Sequence, residues 1–88
     1  MELKNKKVLL MGLGILGGGV ATARFLVEKG ADLTVTDMKS EEHLKLSLDK
    51  LEDLKSKIKF VLGEHREKDF LQNDIIVVNP GVPIVDNK

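Results

Sequence analysis

Three observations predict an α/β chain with a parallel sheet between layers of helix. Four short apolar runs alternate with helical or polar stretches, in the order βαβαβ(α)β. The first run stops at a glycine cluster, with five of the eight glycines falling between Gly12 and Gly19. The length, 88 residues, allows one small domain, and chains of this size bury about 60–65% of their unfolded surface.

Each element has its own justification. Lys7 to Met11 is a short apolar run ending at Gly12, and reads as a strand buried on both faces. Gly17 to Lys29 reads as a helix, with Val20, Ala23, Phe25, Leu26 and Val27 apolar and Arg24, Glu28 and Lys29 outside. Gly30 stands where a left-handed glycine ends a helix. Leu33 to Thr36 alternates apolar and β-branched polar residues and stops at Asp37, a second strand. Ser40 is placed to cap a second helix, with Glu41 and Glu42 in its first turn. Leu44, Leu48, Leu51 and Leu54 would form one face of that helix, with Lys45, Asp49, Lys50, Glu52, Asp53 and Lys55 opposite. Ile58 to Leu62 is a third strand, closed by Gly63. Glu64 to Leu71 reads as a loop with a short helical turn. Asp74 to Val78 is a fourth strand, and Asn79-Pro80-Gly81-Val82-Pro83 breaks regular structure. Right-handed crossovers then give a Rossmann-like, three-layer αβα arrangement with strand order 3-2-1-4. Such sheets usually reach five or six strands. Ile84 and Val85 begin a segment that Asn87 and Lys88 do not finish, so residues 1–88 are expected to be one domain of a longer protein.

Composition narrows the function classes. Fourteen Lys and Arg balance fourteen Asp and Glu, so basic-patch binding to nucleic acid or anionic membrane is not expected. Aromatics are 3% of the chain, too few for a base-stacking platform. The absence of cysteine excludes disulfides, thiolate metal sites and a cysteine nucleophile. Lys4, Lys6 and Lys7 before Val8 to Ala23 imitate a secretory signal peptide. Glycines weaken a helical core of that kind by about 1 kcal/mol each, and the pattern runs on to Gly30. The expected compartment is the cytoplasm.

The chemistry-bearing motif is Gly12-Leu13-Gly14-Ile15-Leu16-Gly17, a G-x-G-x-x-G string after a strand and before a helix. Gly12 permits a tight turn, Gly14 lets a phosphate approach the backbone, and Gly17 lets helix and strand pack closely. The helix N-terminus then turns free N–H groups and about half a positive charge toward an anion. The plain alternative is a turn that only packs tightly. Asp37, at the end of the second strand, can accept hydrogen bonds from ribose hydroxyls or a base N–H, or else serve as a turn aspartate. Lys39 is a solvated lysine or a ligand contact. His65 is expected to be exposed, and His43 has no assigned role. The two histidines, without paired acids at suitable spacing, make no metal site. Asn79-Pro80-Gly81 should stand beside the glycine turn, or be a plain turn. No nucleophile elbow or G-x-x-x-x-G-K-[ST] string is present.

Gly12-Leu13-Gly14 to Gly17, Asp37-Met38-Lys39, Leu62-Gly63-Glu64-His65 and Asn79-Pro80-Gly81-Val82-Pro83 together resemble the N-terminal domain of the Mur ligases. The closest likeness is to the branch that adds D-glutamate to UDP-N-acetylmuramoyl-L-alanine. The resemblance covers nearly the whole chain. It implies that the domain holds the UDP part of that substrate during peptidoglycan precursor synthesis, a cytoplasmic step linked to cell wall, cell shape and division. It implies that Gly14, Ile15, Leu16 and Gly17 face the diphosphate, and that Asp37 and Lys39 meet the uridine. Gly63 would border the uracil, while Asn79, Pro80 and Gly81 flank the sugar and diphosphate. Two departures stand out. Leu16 occupies a position where the family often has Ser or Thr, and Arg66 follows His65 where the family often has Pro. Arg66 either offers charge to an anion or is solvated.

In the family, ATP activates the substrate carboxylate and the amine of D-glutamate attacks it. The resemblance places ATP and magnesium in a central domain outside this chain. No residue here is therefore assigned a catalytic role. It implies a monomer whose partner is UDP-N-acetylmuramoyl-L-alanine, not a nucleic acid or a membrane. Two other readings remain open on the residues alone. One is an NAD(P)-binding domain of a dehydrogenase, favoured by the spacing from Gly17 to Asp37. The other is a non-enzymatic nucleotide-sensing module, favoured by the small size.

Overall fold

The computed structural model describes residues 3–14 and 17–79. Ile15, Leu16, Pro80 and Gly81, and the segment from Ile84, lie outside the described residues. Strand β1 spans Lys7–Met11, β2 Asp32–Asp37, β3 Ile58–Leu62 and β4 Ile75–Val78. They form one parallel sheet in the order β3-β2-β1-β4, as the crossover rules require. Val8 lies opposite Leu33 and Ile75, and Leu10 opposite Val35 and Val77. Val8, Leu9 and Leu10 are all fully buried, because the central strand is covered on both faces.

Side chains alternate across a strand, so Val8, Leu10, Leu33, Val35 and Ile58 share one face. On that face they pack with Val20, Ala23 and Leu26 of helix α1, Gly18–Glu28, and with Leu51. Helix α1 ends as expected. Gly30 has φ 85°, its N–H bonds the Val27 carbonyl, and the Ala31 N–H bonds the Leu26 carbonyl.

The second helix differs from the sequence reading. The chain makes a turn over residues 41–44, a short helix α2 over Lys45–Asp49, and a 3₁₀ segment over Glu52–Lys57. The leucine spacing explains the break. Leu48, Leu51 and Leu54 recur every three residues, which is the period of a 3₁₀ helix. Leu48 lies in α2, Leu51 between the two segments and Leu54 in the 3₁₀ segment, and all three stay against the core. Leu44 and Leu51 are fully enclosed, and Leu48 and Leu54 pack at the edge of the core. Ser40 caps the turn instead of a helix, accepting the His43 N–H at 3.4 Å, and its hydroxyl lies 3.0 Å from His43 Nδ1. Arg24 ties this segment to α1, donating to the Lys50 carbonyl and both Asp53 oxygens.

Helix α3, Glu67–Gln72, lies against β1 on the other face. Arg66 is neither solvated nor free for an anion. It makes a two-pronged pair with Asp69, at 2.9 and 3.0 Å, and the Asp69 side chain is almost completely buried. Burial of a charge demands such a partner. The Arg66 bond holds the Asp69 carboxyl below its ordinary value, outweighing the burial that would raise it.

Candidate nucleotide site

The strands end on a common edge, and the glycine turn forms its centre. Gly12, Gly14 and Gly17 have φ of 99°, 74° and 96°, a region costly for any residue with a Cβ. Three such residues explain why the turn is built of glycine. Close packing belongs to a different glycine from the one the motif suggests. Among the described residues a Cβ on Gly17 would meet nothing within 4 Å, so Gly17 is needed there for its φ as the residue preceding α1. A Cβ on Gly19 would lie 1.9 Å from the Leu13 carbonyl oxygen. Gly19 is the residue that brings α1 against the turn.

Side chains from three separate elements hold the turn by its backbone. Asp37, at the end of β2, accepts the Leu13 and Gly14 N–H groups on Oδ2 at 2.9 and 3.0 Å. Its Oδ1 accepts the Lys39 N–H at 2.8 Å. Asn79, just beyond β4, donates from Nδ2 to the carbonyls of Gly12 and Leu13 at 3.0 and 3.3 Å. Ser47, in α2, donates to the Gly14 carbonyl at 2.7 Å. The Gly12 N–H completes the set, bonding the Thr36 carbonyl at 2.7 Å. Burial pushes the Asp37 carboxyl up, but the N–H groups of Lys39, Gly14 and Leu13 together outweigh it and hold the group below its ordinary value. Asp37 is therefore an ionised acceptor at neutral pH. Among the described residues three of its roughly four lone-pair directions are used, which leaves one on Oδ1.

The rim beside Asp37 is formed by the next crossover. The Gly63 N–H bonds the carbonyls of both Asp37 and Lys39, at 2.8 and 3.0 Å, and Gly63 has φ 84°. Asp37 and Glu64 form an isolated bridge. His65 corrects the sequence expectation of an exposed side chain. It is half-buried, with Nδ1 2.9 Å from the hydroxyl of fully buried Thr36. Lys39 keeps its side chain exposed, as a solvated lysine would.

The sequence-derived residues thus fall into two adjoining groups. Asp37, Lys39 and Gly63 form one, and Gly14, Gly17 and Asn79 the other, with Asp37 bonded to both. The Asn79 amide stands 3.5 Å from the position a Gly14 Cβ would take and 4.0 Å from that of Gly18, so it lies beside the turn as expected. The first bond of α1 runs from the Ala21 N–H to the Gly17 carbonyl. The N–H groups of Gly18, Gly19 and Val20 precede it and have no acceptor within the helix. Gly17 offers them no side chain.

Residues 6–88 match the family model of the Mur ligase MurD-like N-terminal domain. The chain belongs to that family. Among curated relatives, it is 54% identical over 81 residues to the UDP-N-acetylmuramoylalanine--D-glutamate ligase of Borreliella burgdorferi (strain ZS7), covering 92% of this chain and 18% of that protein. It is 53% identical over 83 residues to the ligase of the same name from Roseiflexus sp. (strain RS-1), covering 94% and 17%. The same-named ligase of Geobacter sp. (strain M21) is 54% identical over 84 residues, covering 96% and 18%. The chain spans under a fifth of the length of these relatives.

Within this family domain, sequence reasoning missed Ser47 and Thr36. Ser47 carried a signal, being a small polar residue inside a leucine row. Thr36 carried none, since its burial beside Asp37 shows only in the fold. A hollow of about 920 Å³ lies between α2 and β3 and is rimmed by charges of both signs, Glu41, Glu42, Lys45, Asp49, Glu52 and Lys55. It shares no lining residue with the turn. No helix among the described residues is long and apolar enough to cross a membrane. No group of three or more His, Asp or Glu among them could hold a metal ion.

Proposed function

We propose that this domain holds the UDP part of UDP-N-acetylmuramoyl-L-alanine, in a cytoplasmic ligase that adds D-glutamate to it. The observation that carries this reading is the fixed glycine turn between Asp37 and Asn79, at the head of α1. Because the Gly14 N–H is engaged by Asp37, the donors suited to a diphosphate are those at the start of α1, after Gly17. The remaining Asp37 acceptor suits a ribose hydroxyl or a base N–H. Gly63 has no side chain to obstruct a flat ring beside it. Lys39 adds an exposed positive charge beside Asp37, on the uridine side. Ile15, Leu16, Pro80 and Gly81 are included in the site on the family resemblance.

The domain's part in the reaction is to hold and orient. A substrate gripped at its nucleotide end presents its far end at a fixed distance, and remote binding energy is thereby used in positioning. ATP and magnesium supply acyl-phosphate chemistry in such a ligase. This sequence has no phosphate-binding lysine motif, so no step of that chemistry is assigned to its residues.

Titration of the ¹⁵N-labelled chain with UDP and, separately, with NAD tests the reading. UDP is expected to move the amide signals of Gly17, Gly18, Lys39 and Gly63, with NAD moving them less. Tight NAD binding with no response to UDP would sink the proposal.

A further inference from the structure

A loop with three residues of positive φ has many conformations open to it and needs outside support to keep one. Asp37 fixes N–H groups of this turn, and Asn79 fixes the carbonyls of Gly12 and Leu13. The Gly14 carbonyl is left to Ser47. A helical serine ordinarily finds its acceptor on its own helix, at the carbonyl three or four residues back. The Ser47 hydroxyl bonds instead across 33 positions, at 2.7 Å, from a side chain only 3% exposed. Leu44 and Leu51, both fully enclosed, hold the segment that carries it. Among the described residues every buried side-chain polar atom has a partner, so the hydroxyl has no competing demand left unmet.

We propose that Ser47 is a positioning residue of the glycine turn: it orients the Gly14 carbonyl, and makes nucleotide affinity depend on α2. The affinity part rests on the UDP reading above; the orienting part does not. Ser47 touches no ligand in this scheme. It acts through the Gly14 carbonyl. The leucine row thereby becomes part of the binding machinery without lining the site.

The variant is Ser47→Ala, which suits a helix and leaves no buried polar group on its own side. Two measurements are made on the whole chain: amide hydrogen exchange without ligand, and UDP affinity. Exchange at Leu13 and Gly14 is expected to rise about fivefold, with Leu48 and Leu54 unchanged. UDP affinity is expected to fall about fivefold, equivalent to about 1 kcal/mol. A merely structural serine would loosen Leu48 and Leu54 as much as the turn, and that result overturns the proposal. An unchanged turn overturns it too, as does UDP affinity within twofold of the parent. Should the parent chain not bind UDP while the exchange change stays confined to the turn, the UDP reading falls and the orienting role of Ser47 stands.

Discussion

The glycine turn and the leucine row, joined by the bond from Ser47 to Gly14, are specified in opposite ways. At Gly12, Gly14, Gly17 and Gly19 the backbone sets the requirement and no side chain is present. In residues 44–54 the leucines are fixed and the backbone is negotiable, changing from α to 3₁₀ between Leu48 and Leu54. Positive φ and close approach tolerate one residue type. Apolar burial tolerates any winding that puts the methyl groups inside. The turn should therefore fail at single atoms, and the row in proportion to area.

The largest effect is expected from Gly19→Ala. The new methyl would stand 1.9 Å from a backbone oxygen, so helix and turn must part. A loss of at least about 3 kcal/mol is expected, seen as a thermal midpoint lower by more than about 12 °C. Gly17→Ala meets no neighbour among the described residues and bears the strain of φ 96°, about 1 kcal/mol. Equal losses at the two sites would erase the distinction between close approach and conformation.

Next comes the row. Leu51→Ala should cost about 2–3 kcal/mol, because the residue is 1% exposed within the core. Leu46→Ala, at 78% exposure in the same segment, should stay within about 0.5 kcal/mol. Urea midpoints check both. Similar midpoints would mean that burial does not grade this segment.

The mildest perturbation is acid. The folded Asp37 carboxyl lies below its ordinary value, so its contribution is complete above the unfolded range near pH 4. It is lost as pH falls through that range toward the folded value. Amide exchange should show Leu13 and Gly14 losing protection at a higher pH than Leu48 and Leu54, whose hold is apolar. Simultaneous loss would mean that Asp37 is not an independent clasp. Buried Asp69, also held low, contributes with the same sign on the α3 face.

These differences explain what was legible in the sequence. Strand β1 and the end of α1 were readable because a buried apolar run and Gly30 have few alternative conformations. The leucine spacing was readable as burial, but not as one helix, since intervals of three and four suit either winding. The order of the strands followed from crossover handedness. Asp37 and Asn79 were visible as site residues, but their use in holding the turn was not. That use depends on 23 to 67 positions of chain returning to one place. Ser47 belongs to the same class, as do Thr36 and His65. A hydrogen bond across a fold leaves no period in the sequence.

The central place of β1 has a consequence for biosynthesis. Among the described strands β1 comes first in the chain, and of its two partners, β2 and β4, the second is the last of the four. The Lys7 N–H meets Asp74, 67 positions along the chain. Parallel pairing offers no hairpin to shelter the run from Val8 to Met11 in the meantime. That apolar edge stays half-paired until β4 has emerged, and an unpaired edge is open to pairing with other chains.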